Sequence, residues 1–174
     1  MALTAPINFK KWIDDNRHLL KPPVGNKLIY ENAEFIVMVV GGPNTRDDYH
    51  IDPGEEFFYQ IEGDMVLKVI DEGKPVDIPI CQGDVFLLPS NVPHSPQRPA
   101  NSLGLVIERK RMVGELDGFA WYCRQCNDRV YEEFFQLENI VTQLPSIFER
   151  FYAKEENQIC RKCNRKLEFA NAKN

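Results

Sequence analysis

Between Phe35 and Ile107 the chain runs as short apolar segments cut apart by glycine, proline and aspartate, and that rhythm restricts its fold more than any other feature. Phe35-Ile36-Val37-Met38-Val39-Val40 is a β-branched run that stops at Gly41-Gly42-Pro43-Asn44. Glu56-Phe57-Phe58-Tyr59-Gln60-Ile61 leads through Glu62-Gly63-Asp64 into Met65–Ile70, and Val85–Leu88 and Leu103–Ile107 follow between further turn residues. Strands this short, recurring about every ten to fifteen residues, predict a β-barrel or jelly roll. Ahead of them, Trp12-Ile13 and Leu19-Leu20 have helical spacing, and Lys21-Pro22-Pro23-Val24-Gly25-Asn26 must end any helix there. Beyond Met112 the texture changes: Asp117-Gly118 reads as a break, and 137–152 as mixed and partly helical. The expectation is an all-β-dominated barrel with an N-terminal helical segment over 1–115, and a small extension over 116–174. A chain of 174 residues suits that size.

The extension contains Cys123-x-x-Cys126 and Cys160-x-x-Cys163. Two such pairs in a chain that shows no export signal point to a closed, structural four-thiolate site, with Zn²⁺ and a rubredoxin-like iron equally suited. The fifth cysteine, Cys81, follows Ile78-Pro79-Ile80 and reads as buried filler. A net charge of −5 argues against a nucleic-acid partner. Residues 121–174 add little basicity, with nine Lys/Arg against eight Asp/Glu. No apolar run approaches the roughly 20 residues of a membrane span, so a cytoplasmic location is expected.

His50, Glu56 and Gly63, followed by Gly83, Pro89 and His94, carry a resemblance to the paired motifs of the cupin superfamily. Asp52 stands where the first motif has its second histidine; Asn91 and Arg98 replace a glycine and an asparagine of the second. Two imidazoles and one carboxylate suit non-haem Fe(II) with open coordination positions. Glu55 is the rival carboxylate, but strand alternation turns neighbours to opposite faces. His18, on the N-terminal helical pattern, reads as a surface residue. Arg46, Arg98 and Glu108 flank these positions, and even spacing puts Arg46 with His50, and Arg98 with His94, on one face of a regular strand. Arginine grips a carboxylate in a planar fork that lysine cannot copy. A sensor or isomerase cupin, and a nucleic-acid-binding zinc ribbon, are the competing classes.

The segments 20–26, Val40-Gly41-Gly42-Pro43-Asn44, Asp48-Tyr49-His50, 55–60, Val92–Pro99 and Val106-Ile107-Glu108-Arg109 resemble the 3-hydroxyanthranilate 3,4-dioxygenase family, in its shorter bacterial and fungal form. The resemblance runs from about residue 8 to the last cysteine pair. It implies ring opening of 3-hydroxyanthranilate by O₂ to 2-amino-3-carboxymuconate semialdehyde, a quinolinate and NAD precursor. It implies Fe²⁺ on His50, Glu56 and His94, and iron or zinc on the four cysteines. Arg98 would hold the substrate carboxylate with Glu108, and Arg46 would face the hydroxyl and oxygen, with Glu108 as the base. Val24, Asn26, Phe58, Pro96 and Ile140 would line the pocket, and a homodimer is implied.

Overall fold

The computed structural model describes residues 5–22, 25–31, 33–137 and 140–169. Helix α1 (Phe9–Asn16) is followed by a 3-10 turn, Arg17–Leu19. Eleven strands come next: β1 (Asn26–Leu28), β2 (Phe35–Gly41), β3 (Asp48–Ile51), β4 (Glu56–Glu62), β5 (Met65–Asp71), β6 (Lys74–Ile80), β7 (Val85–Leu88), β8 (His94–Gln97), β9 (Leu103–Arg109), β10 (Asp117–Tyr122) and β11 (Arg129–Phe135). Helix α2 (Ile140–Ala153) and a second 3-10 turn, Glu155–Gln158, complete the fold.

The strands form two antiparallel sheets, ordered β1-β2-β9-β4-β7 and β11-β10-β3-β8-β5-β6. Strand alternation decides what lies between them. On β4, Glu56, Phe58 and Gln60 are buried, while Phe57 and Tyr59 are turned the other way. Phe58, Leu88 and Val106 of the first sheet pack against Met65, Leu67, Val69 and Ile80 of the second. At the outer surface of the first sheet, Ile13 and Leu20 cover Val39 and Leu103.

A second, aromatic core gathers Phe119, Trp121, Ile147, Phe151 and the buried Cys123 and Cys160. Trp121 stacks on Phe151 with ring centroids 4.0 Å apart. The sheet continues beyond residue 115, because β10 pairs with β3 from Gly118↔Ile51 to Trp121↔Asp48.

At two places the fold departs from what the local sequence predicts. Asp117-Gly118 opens a strand instead of breaking the chain, and Asp117 is completely buried. Aspartate is rare in strand interiors, so its partners, described below, override its propensity. Cys81 is exposed; it follows the buried Ile80 at the end of the edge strand β6, where alternation turns the next residue outward. Strand β6 itself, with Pro75 and Pro79, is illegible as a strand until its edge position is known.

Candidate functional site

His50 on β3 and His94 on β8 are direct cross-strand partners, with ring centroids 5.2 Å apart. Glu56, the first residue of β4, reaches toward them from the facing sheet. Its Oε1 lies 2.9 Å from His94 Nε2 and 3.4 Å from His50 Nδ1. That oxygen is buried, yet at these angles it makes no hydrogen bond. One ligand atom from each of the three residues lies within 4.8 Å of the others. A buried orphan carboxylate oxygen between two imidazole nitrogens fits a cation held in common. Burial opposes the charged form of Glu56, but the neighbouring His94 and His50 hold its carboxyl below the usual range. Glu55 is exposed and takes no part, as is His18.

Farther along the inner face of β4, Gln60 Oε1 accepts a hydrogen bond of 3.1 Å from Arg98 Nη1. Arg98 is only 2% exposed and, among the described residues, has no salt-bridge partner; its Nε is buried without any hydrogen bond. Burial alone pulls its guanidinium down to about 10. Room for it comes from Gly104, where a Cβ would sit 2.6 Å from Arg98 Nη1. Phe58 lies between Glu56 and Gln60 on the same face and meets the His94 ring edge-on at 6.4 Å.

Glu108 is the cross-strand partner of Glu56 and is buried. Burial, then a hydrogen bond with Asp52 and the charge of Glu56, push its carboxyl up to about 9. Arg46 precedes β3 instead of sharing its regular alternation with His50. It is ion-paired with Asp48 and stands over the Phe119 ring at 5.8 Å. Pro96 follows His94 on β8 at the same-face spacing of two. Asn26 is exposed on the edge strand β1, opposite Val40. Val24 and the side chain of Ile140 lie outside the described residues.

A model of the family described as 3-hydroxyanthranilic acid dioxygenase matches residues 1–152. The chain belongs to this family. Its members are non-haem iron dioxygenases of the cupin class. The 3-hydroxyanthranilate 3,4-dioxygenase of Xanthomonas euvesicatoria pv. vesicatoria is 59% identical over 161 residues, 92% of this chain and 91% of that protein. The protein of the same name from Jannaschia sp. (strain CCS1) is 55% identical over 164 residues, 94% of this chain and 91% of that one. A cupin-2 domain-containing protein from Shewanella frigidimarina has a TM-score of 0.48 at 20% identity, covering 60% of this chain and 94% of that one, too slight a likeness to bear on function.

Beside His50 and Glu108 lies a group of residues with no clear signature in the sequence. The side chain of Arg111 is almost fully buried and contacts three carboxylates: Asp52 at 2.8 Å, Glu108 at 3.0 Å and Asp117 at 2.6 Å. Asp117 in turn lies 2.9 Å from His50 Nε2. The signal available was faint: Arg111 sits in Arg109-Lys110-Arg111, which looks like an ordinary solvated cluster.

The four cysteine sulfurs also converge. Cys123 and Cys163 Sγ are 3.6 Å apart, and Cys126 and Cys160 Sγ 3.5 Å. A tetrahedral ion with metal–sulfur bonds of about 2.3 Å needs edges of about 3.8 Å, so the donor set fits one. The two knuckles repeat one another. Asn127 N–H donates to Cys123 O and Asn164 N–H to Cys160 O, both at 2.8 Å, and both asparagines are left-handed with φ 60° and 56°.

Proposed function

We propose that this chain inserts both atoms of O₂ into the ring of 3-hydroxyanthranilate, opening it to 2-amino-3-carboxymuconate semialdehyde, which cyclises to quinolinate, a precursor of pyridine nucleotides. The observation that carries this reading is Arg98. A buried guanidinium without a carboxylate partner is costly unless a ligand brings the anion. It is held by Gln60, on the same inner face of β4 as Glu56, with the apolar Phe58 between those two residues. A flat ring with a carboxylate at one end and chelating groups at the other matches that order.

In this reading His50, Glu56 and His94 would hold Fe(II), which would supply O₂ activation and a chelation point for the vicinal hydroxyl and amine. Arg98, braced by Gln60, binds the ring carboxylate in a two-pronged fork, with Glu108 nearby. Arg46 faces the hydroxyl and stabilises charge developing on oxygen, a contribution of about 3–4 kcal/mol for a well-placed donor. Glu108, cross-strand partner of Glu56, would be the group to receive the hydroxyl proton, once a divalent cation held beside Glu56 had lowered its hold on its own. Phe58, Pro96 and Asn26 shape the ring pocket.

The remaining assignments are proposals of the same kind. Residues 1–115 form the unit that carries the iron ligands, and 116–174 an extension stapled by iron or zinc on Cys123, Cys126, Cys160 and Cys163. A reduced thiolate cage suits the cytoplasm. A homodimer forms through the outer face of the first sheet. There Phe35, Val85 and Leu87 are 57%, 62% and 53% exposed, beside Phe57 and Ile107, where α1 does not reach.

The deciding experiment is oxygen uptake with 3-hydroxyanthranilate by Fe(II)-loaded and metal-free protein. One O₂ consumed per ring opened, only with iron, supports the proposal. Iron bound at the His/Glu site with no uptake overturns it and favours a sensor or isomerase.

A further inference from the structure

We propose that Asp117 is a positioning residue for His50, and that Arg111 clamps it there while also holding Glu108. The inference rests on the metal-centre reading above and adds which nitrogen each imidazole presents.

His94 and His50 are braced differently. His94 Nδ1 donates to the carbonyl oxygen of Val92 at 3.0 Å, which leaves Nε2 facing Glu56. His50 has its Nε2 on Asp117 Oδ1 at 2.9 Å, which leaves Nδ1 facing Glu56. An imidazole ligand is oriented by what its other nitrogen donates to. The two histidines therefore offer opposite nitrogens to one point: Nδ1 from His50 and Nε2 from His94.

Strand β10 sets this arrangement. Phe119 is the cross-strand partner of His50 and stacks on its ring at 5.2 Å and 29°. Asp117, two residues earlier, shares the face of β10 that carries Phe119. Stacking fixes the plane of the imidazole, and the carboxylate fixes its rotation within that plane.

Asp117 is itself immobilised. Arg111 Nε donates to both of its oxygens, at 3.1 and 2.9 Å, and Nη2 donates to Oδ1 at 2.6 Å. The same guanidinium donates from Nη1 to Glu108 Oε2 at 3.0 Å and to the Arg109 carbonyl at 3.0 Å. One rigid planar group thus ties the brace of a metal-site histidine to the carboxyl that faces Glu56 across the strand pair. Neither Asp117 nor Arg111 needs to touch substrate for this.

The test uses the full chain with the cysteine cage filled by Zn(II), so that only the second site is read. In wild-type protein loaded with Zn(II) at that site, ¹⁵N-histidine NMR should show His50 bound through Nδ1 with a proton on Nε2, and His94 the reverse. D117N, which keeps the volume, should bind Co(II) there about 10–100-fold more weakly and shift its visible absorption. Ligation of His50 through Nε2, or wild-type Co(II) affinity and spectrum in D117N, overturns the inference. The wild-type NMR measurement decides the matter even if D117N does not fold. Wild-type protein that takes up neither ion at His50/Glu56/His94 overturns the metal-centre reading and this inference with it.

Discussion

At the scale of single residues, the fold turns on buried charges whose neighbours give them a job. Arg98→Ala should lower kcat/KM by about 10²–10³-fold, since truncating one side of a buried charged pair typically costs about 2–5 kcal/mol, while Fe(II) content stays unchanged. Arg98→Lys should recover only part, because an ammonium cannot fork onto a carboxylate. Steady-state kinetics with iron analysis on the same samples checks both. His50 gives a pH prediction. Burial lowers its proton affinity, but Asp117 and Glu56 raise it more, to about 10 from an ordinary 6.5 in the metal-free chain. A raised pKa stabilises the fold fully below about 6.5 and loses that contribution as pH climbs through about 10. Metal uptake must displace the Nδ1 proton, so Fe(II) affinity should rise across the same window. Thermal unfolding of metal-free protein and Fe(II) titration from pH 6 to 10 read the two trends, which should run in opposite directions. His50, Glu56 and His94 were visible in the sequence because their spacing is fixed by two local motifs. Arg111 and Asp117 were not, because their partnership depends on β10 lying beside β3.

At the scale of elements, β10 links the molecule's two candidate metal sites. Its residues Asp117, Phe119 and Trp121 alternate onto one face, the first two against His50, and Cys123 of the cage follows directly. Cys163→Ser should remove the tetrahedral site and destabilise the aromatic core around Trp121 and Phe151 by several kcal/mol, as expected for a structural ion that organises a small segment. Denaturant unfolding with metal analysis measures this; an unchanged midpoint with an empty cage would contradict it. Elements differed in how far they could be read. The strands β2, β4, β5, β7 and β9 announce themselves as apolar runs. By contrast β6 and β8 contain prolines, β3 only four residues and β1 three. Such segments become strands because neighbouring strands supply the hydrogen bonds. Asn91 makes the same point in a turn: it stands where the cupin-type motif has glycine, and its φ of 62° lies in the left-handed region that asparagine tolerates.

At the scale of the whole molecule, one face of the first sheet is half finished. The N-terminal helix covers Val39 and Leu103, but Phe35, Val85 and Leu87 stay open to solvent. If the proposed homodimer uses this face, Leu87→Lys should leave the fold intact and yield a monomer where the wild type is a dimer, read by light scattering on size exclusion; a monomeric wild type would overturn the dimer, and a variant that stays dimeric would place the interface elsewhere. The β-dominated architecture, the candidate set His50/Glu56/His94 and the two cysteine knuckles are all legible in the amino-acid sequence. All of these depend on periodicity or on spacing within a short stretch of chain. Long-range strand pairing sets which charges are buried together, which histidine nitrogen faces Glu56, and how Arg98 is left without an acidic partner among the described residues. Those facts arise from strands distant in sequence lying about 4.8 Å apart in a sheet, and no local pattern encodes that pairing.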